Sequence, residues 1–296
     1  MGFIKRHPIL IVVVLLVGGY IFWNYFRPVK INGNINKNSE HYVNDMYYAD
    51  GLRYNRLLSA PEKKMYMDLL ADLKKNNIET KLDGVNYGCD VYTTSCYEML
   101  VKVLDAMLID HPELIQWGNF STIQVGEFLK VDYKYKIKGS IMKSINTMRI
   151  LRIIDDIKGS TSKMSEIDKV KYVYEWVQRS DYDTKIKEGS KNNSAYDIFY
   201  KNDGHSDSFA KASQIIFQNI GIESYLVNGK MVNDHMWNIV KIDEKYYYFD
   251  ATLGAGLSEK SAGFYAGVGT NPKNYTLNHP ELLPKIDGDK YLFNAQ

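Results

Sequence analysis

The sequence predicts an α+β fold, with amphipathic helices leading into an antiparallel sheet near the carboxyl end. Three observations carry that prediction. Apolar residues recur at helical spacing in successive stretches between residues 60 and 220. Leu129, Val131, Tyr133, Tyr135 and Ile137 alternate with Lys130, Asp132, Lys134, Lys136 and Lys138, the pattern of a half-buried strand. Two strand-like runs, His235 to Ile242 and Lys245 to Thr252, flank Asp243-Glu244 and read as a hairpin. The 296 residues, 45% apolar and 24% charged, suffice for one large domain or two small ones. A formal charge of +2 and the lack of a long basic run give no basis for nucleic-acid binding. The 24 tyrosines agree with a strand-containing fold packed by amphipathic rings.

Residues 1–30 form a predicted membrane anchor. Pro8 to Phe26 is a 19-residue stretch without charge, preceded by Lys5, Arg6 and His7. That length suits a bilayer crossing, and Tyr20, Phe22, Trp23, Tyr25 and Phe26 crowd its far end as an interfacial belt would. Val17-Gly18-Gly19 is the alternative, a small-residue cleavage site for a signal peptide. A short cytoplasmic amino terminus places residues 31–296 outside the membrane.

Residues 31–154 read as a linker, over 27–45, followed by a mixed helical and strand region. Ser59-Ala60-Pro61-Glu62 supplies a capping box for a helix near 60–75 carrying Met65, Leu69 and Leu73. A second helix near 95–109 aligns Leu100, Val103, Leu104, Met107 and Leu108 and stops at His111-Pro112. Cys89 and Cys96, the only cysteines, read either as a disulfide closing a small loop or as independent thiols. Beyond the strand at 129–137, Ile141 to Ile154 returns to helical period, and Ser165 caps a helix carrying Val170, Val173, Tyr174 and Val177. Residues 180–194 form a polar loop. Phe209, Ala212, Ile216 and Ile220 mark a helix ended by Gly221, and strands follow from Ile222, His235 and Lys245.

With a two-residue turn, Ile242 pairs with Lys245 and His235 lies opposite Thr252. Asp250 is then two positions along on the same face, within reach of the imidazole. A carboxylate that orients a histidine makes it a general base, and Ser206 stands at a helix start, where free amides favour negative charge. Ser206, His235 and Asp250 are thus candidate catalytic residues.

These segments resemble transglutaminase-like proteins. Gly204-His205-Ser206-Asp207-Ser208-Phe209-Ala210 and Gly221 to Val227 are similar to the family's helix and following strand. Asp234-His235-Met236-Trp237-Asn238 resembles its His-x-Trp-Asn strand, and Tyr247 to Thr252 its aromatic-x-Asp-x-Thr strand. Lys169 to Asp183 is similar to the segment before the core in bacterial members, and Asp110-His111-Pro112-Glu113 to part of exported ones. The resemblance implies a papain-like core over residues 155–275, with 276–296 as a tail. It also implies acyl transfer or hydrolysis at peptide or glutamine-type amides, with His235 as base and Asp250 as its orienting group. Family members place cysteine where this chain has Ser206, and an alcohol is far harder to deprotonate than a thiol. The alternative is therefore a pseudoenzyme that binds a peptide or cell-surface polymer.

Trp237, His205 and Tyr182 are candidate substrate-binding residues, and Tyr182 or Trp176 a candidate oxyanion donor beside the Ser206 amide. Simpler roles exist for each: Ser206 as a helix cap, His205 as a rim residue, and the aromatics as core. No cofactor is expected, and no metal, since the His235–Asp250 pairing already has a use.

Overall fold

The computed structural model of the protein describes residues 46–47, 49–183, 193–231, 233–253, 268–269 and 275–291. The expected span 8–26 and the linker 27–45 lie outside the described residues. Among the described residues, no helix is long and apolar enough to cross a membrane. The chain divides into two units, residues 1–42 and 43–296, and all described residues belong to the second.

After the short helix α1 (Leu52–Leu57), helix α2 (Ala60–Lys75) begins with the expected capping box. The Ser59 amide donates to Glu62 Oε2 at 2.7 Å, and the helix ends where Asn76 turns left-handed at φ 57°. Strand β1 (Glu79–Asp83) follows, then helix α3 (Ser95–Asp110). Cys89 and Cys96 form a disulfide at the start of α3. Strands β2 (Asn119–Val125) and β3 (Phe128–Lys134) complete an antiparallel sheet in the order β1-β3-β2. Its core joins Met65, Leu69 and Leu73 of α2 to Leu100, Val103 and Met107 of α3 and Val131 of β3. Of the three strands only β3 shows the alternation that sequence can reveal. β1 buries a single apolar residue, Leu82, and β2 buries none.

Helices α4 (Ser140–Thr161) and α5 (Glu166–Val177) come next, and Ser165 Oγ accepts from the Asp168 amide at 3.3 Å as a cap. Two short segments within or near the expected polar loop, β4 (Asp181–Tyr182) and β5 (Asp203–Gly204), pair in parallel around a π-helical turn at Asp197–Lys201. Helix α6 (Ser206–Ile220) ends at Gly221, whose φ of 76° favours glycine. Strands β6 (Ser224–Lys230), β7 (Asp234–Ile242), β8 (Lys245–Phe249), β9 (Val268–Gly269) and β10 (Thr276–Leu277) form a second antiparallel sheet, ordered β10-β6-β7-β8-β9.

The β7–β8 register is the expected one, with Ile242 opposite Lys245 and Asn238 opposite Phe249. Asp243 and Glu244 both take positive φ, 50° and 64°, the two-residue hairpin turn whose twist matches the strands. One face of the sheet packs Val240, Tyr247 and Phe249 against Ile154, Tyr174, Phe209 and Phe217 of the helices. The other face carries Val227, Trp237 and Tyr248, and residues 275–286 cover it with Tyr275, Leu277 and Leu283. Helix α1 is tied to this second sheet, since Arg53 Nη2 donates to the Leu226 carbonyl at 2.8 Å.

Candidate active site

Chain direction brings the start of α6 and the start of β7 to one end of the sheet. A tight turn at Gly221 sends β6 back against α6, so β7, antiparallel to β6, runs in the same sense as the helix. Packing agrees with this topology. Asn238 Nδ2 donates to the Ala210 carbonyl at 3.1 Å, and Ala210 shares a cluster with Met236. Ser206 is one helical turn before Ala210, and His235 immediately precedes Met236. β8 runs back to the same end and delivers Asp250 there.

The His235–Asp250 pairing forms as expected, with Nε2 and Oδ2 2.6 Å apart. Asp250 is 2% exposed and accepts three further bonds. Tyr275 donates its hydroxyl to Oδ2 at 2.5 Å, while Thr252 gives Oδ1 its amide at 2.9 Å and its hydroxyl at 2.6 Å. Burial is the largest single influence on this carboxyl and pushes it up. The bonds from His235, Thr252 and Tyr275, with the His235 charge, outweigh it and hold Asp250 below the usual carboxylate range. A carboxylate can only accept, so His235 Nε2 carries the hydrogen and Nδ1 is left as the basic nitrogen.

Aromatic packing fixes the imidazole. Trp237 stacks on it, with ring centroids 5.7 Å apart and planes 24° apart, and Tyr275 meets it edge-on at 6.0 Å. Trp237 is itself 1% exposed, so it lies beneath His235 as a platform. Opposite His235 on β6 stands Gly229, where a Cβ would collide with the Thr276 carbonyl and the Trp237 ring. Glycine there lets β10 and the indole pack directly against β6.

Ser206 is the first residue of α6 and is 5% exposed. Its expected alternative role as a cap does not occur. His205 is the N-cap, and its carbonyl, with no side-chain cap, receives the Ser208 and Phe209 amides. Ser206 Oγ donates to Asp207 Oδ1 in a long 3.4 Å bond, and no hydrogen bond joins it to His235. Strand alternation explains the difference: Asn238 faces α6, whereas His235 and Trp237 face Tyr275.

Tyr182 and His205 border the same end. Tyr182 pairs with Gly204 across β4–β5 and meets the His205 ring edge-on at 6.0 Å. His205 Nε2 lies 3.8 Å from Asp183. Gly204 is required for this approach, since a Cβ would fall 2.7 Å from that of Ser208. Burial raises the Tyr182 hydroxyl above its ordinary value, and the charges of Asp250, Asp207 and Asp183 add to the rise. Tyr182 thus senses both the His235-linked carboxylate and the start of α6. Trp176 packs against Phe199 instead. Tyr275 has no counterpart among the residues expected from sequence: it reaches Asp250 across a separate segment, and no spacing rule connects the two.

Among the described residues, no group of three metal-ligating side chains occurs. Residues 154–251 match the model of the Transglutaminase-like superfamily, so the α+β core built on α6 and the second sheet is transglutaminase-like. Two solved structures are similar over part of their length. One is a TGase, at 16% identity over 48% of this chain and 44% of that one, with a TM-score of 0.34. The other is a proposed cysteine protease from Cytophaga hutchinsonii, at 13% identity over 46% of this chain and 62% of that one, with a TM-score of 0.30. The chain therefore spans less than two thirds of either structure. Among curated proteins, none matches the chain.

Proposed function

We propose that the protein performs acyl transfer or hydrolysis at peptide or glutamine-type amides, with Ser206 as nucleophile, His235 as base and Asp250 as the orienting carboxylate. The observation that carries this reading is the His235–Asp250 pair, 2.6 Å apart, buried and matched by further donors to Asp250. With Nε2 committed to Asp250, His235 Nδ1 takes the Ser206 proton as Oγ attacks the amide carbon. His235 then returns that proton to the leaving amine as the C–N bond breaks, and water or an acceptor amine, giving its proton to His235, takes the acyl group and restores Ser206. The new oxyanion lies at the amino terminus of α6, where the Ser206 amide and the helix dipole favour negative charge, with Tyr182 as a further donor. Tyr182 and His205 border the substrate path, and Trp237 holds the imidazole in place. In this reading residues 8–26 anchor the protein, the amino terminus is cytoplasmic, and residues 31–296 meet peptide or protein at the outer face.

One observation favours the second reading, a pseudoenzyme that binds such chains without turnover. Ser206 Oγ is bonded to Asp207, not to His235. Catalysis requires Ser206 Oγ to leave Asp207 and align with His235 Nδ1, an alignment that a preformed thiolate would need less. A serine-directed fluorophosphonate separates the two. Labelling at Ser206 that vanishes in His235→Ala supports the enzyme; an unlabelled Ser206 across varied phosphonates leaves the binder.

A further inference from the structure

Helix α4 is inverted along its first half. Its carboxyl half follows the ordinary rule for a surface helix: Ile150, Ile154 and Ile157 join the core while Asp155 and Asp156 face water. The amino half reverses it. Lys143, Asn146 and Thr147 are buried, whereas Ile141, Met142 and Met148 are exposed, Ile141 at 74%. Ile141, half-buried Ile145 and Met148 recur at spacings of four and three, so they form one apolar stripe on the outer side. The inward polar groups are poorly served. The Lys143 ammonium donates to the Lys74 carbonyl at 3.2 Å, and burial pulls it below the ordinary lysine range. Asn146 Oδ1 is buried with no hydrogen-bond partner among the described residues. Water on the outer side rewards neither choice, but an apolar phase there rewards the stripe.

Charge identifies that phase. Between residues 133 and 154 the chain carries Lys134, Lys136, Lys138, Lys143, Arg149 and Arg152 and no Asp or Glu. The Lys143 bond also sets the end of α2 beside the start of α4, which adds the exposed Lys74 and Lys75. Arg149 Nη1 donates to the Tyr200 hydroxyl at 3.2 Å and so brings an exposed phenol ring to the rim. The nearby acids are engaged elsewhere: Glu113 lies 2.6 Å from His111 Nδ1, and Asp197 is held by Lys136 and Lys201. Isoleucine and methionine bordered by cations and a tyrosine make the composition of a helix lying in the head-group layer of an anionic bilayer. A second copy of this chain suits the stripe less, because an isologous contact sets cations against cations. Nucleic acid would engage the charges and leave the stripe in water.

We propose that the amino half of α4 is a peripheral membrane contact for an anionic lipid surface. Ile141, Ile145 and Met148 enter the boundary between head groups and acyl chains, and Lys74, Lys75 and Lys138 meet the lipid phosphates. Asp155 and Asp156 end the stripe, so the carboxyl half of the helix stays in water. Ile150 and Ile154 share a core with Phe209 and Phe217 of α6, so docking holds the Ser206-bearing helix close to the bilayer. The contact depends neither on residues 8–26 being an anchor nor on Ser206 being reactive.

The test places an environment-sensitive thiol fluorophore on Met148→Cys in the full chain; Cys89 and Cys96 are paired and stay unlabelled. The chain is transferred by detergent dialysis to vesicles of phosphatidylcholine, alone or mixed equally with phosphatidylglycerol. Blue-shifted emission is expected in the anionic vesicles only, and about 0.5 M salt should reduce it. Lys74→Glu with Lys138→Glu should abolish the shift, as should Ile141→Ser with Met142→Ser. The same fluorophore on Ser162→Cys, beyond Asp155 and Asp156, should not respond. Equal emission in the two lipids, an equal shift on dextran sulfate without vesicles, or a shift that survives Lys74→Glu with Lys138→Glu overturns the contact. A lipid-free shift that grows with protein concentration overturns it as well and assigns the stripe to a second copy.

Discussion

Asp250 accepts four hydrogen bonds in a pocket that leaves it 2% exposed, and the one from His235 Nε2 is 2.6 Å long. Such a carboxylate serves stability as well as orientation. Its folded pKa lies below the ordinary value, so its contribution is complete above the unfolded carboxylate pKa and disappears as pH falls through the lower folded one. Asp250→Asn should lower unfolding free energy at pH 7 by about 2–4 kcal/mol, since three donors and an imidazole lose their anion. Urea unfolding between pH 7 and 3 checks it: the variant should lack part of the wild-type decline in acid. Parallel curves would show that Asp250 is not ionised in the native state.

Tyr275 offers a milder perturbation. Tyr275→Phe keeps the ring against His235 and Trp237 and removes only the hydroxyl that donates to Asp250. The expected loss is about 1.5–3 kcal/mol, the range for a hydrogen bond to a charged group. The Asp250 carboxyl should also titrate at higher pH, followed by the side-chain carbon resonance of Asp250. An unchanged titration would mean that His235 and Thr252 alone hold the carboxylate.

Much of this architecture was legible in the sequence because it depends on local rules. Ser59 with Glu62, the Asp243-Glu244 turn, and the parity that sets His235 against Asp250 all follow from contacts between near neighbours in sequence or across one hairpin. The rest depends on contacts that no periodicity encodes. β2 leaves its residues half-buried or exposed, so its pattern carries no alternation. Tyr275 meets Asp250 from 25 residues away, and its position depends on β10 pairing beside Gly229. Sequence also placed Ser206 at the start of a helix, where it stands, but could not show its hydroxyl bonded to Asp207, a matter of side-chain conformation.

Lys136 lies on the alternating run that predicted β3, just beyond the strand's end, and its ammonium reaches Asp197 at 2.5 Å. Burial lowers Lys136 to about 8 despite that partner. The sign of the resulting pH dependence follows. Between about 8 and the ordinary lysine value, the unfolded chain holds the proton and the folded chain does not. Stability therefore rises with pH across that window. Lys136→Met should remove the rise and cost about 3 kcal/mol at pH 7, because Asp197 keeps Lys201 at 3.0 Å but loses its shorter ion pair. Thermal unfolding at pH 7, 8, 9 and 10 measures both effects, and identical slopes in the two proteins would refute the assignment.

Ser206→Cys asks whether the scaffold still suits the nucleophile it resembles. A thiol at the first residue of α6 faces free helix amides, and His235 stands at the same end of the sheet with Nδ1 as its basic nitrogen. Both influences lower a thiol pKa from about 8.5, so the variant should alkylate with iodoacetamide at pH 6.5 faster than a free cysteine peptide. His235→Ala in that background should slow the reaction about tenfold, the effect of one pKa unit on the thiolate fraction. The natural cysteines add no background, because Cys89 and Cys96 are paired with each other. Amidase activity on a glutamine peptide should appear with the thiolate if Ser206 alone limits turnover. A thiol no more reactive than the free peptide, with or without His235, would show that His235 does not act on position 206.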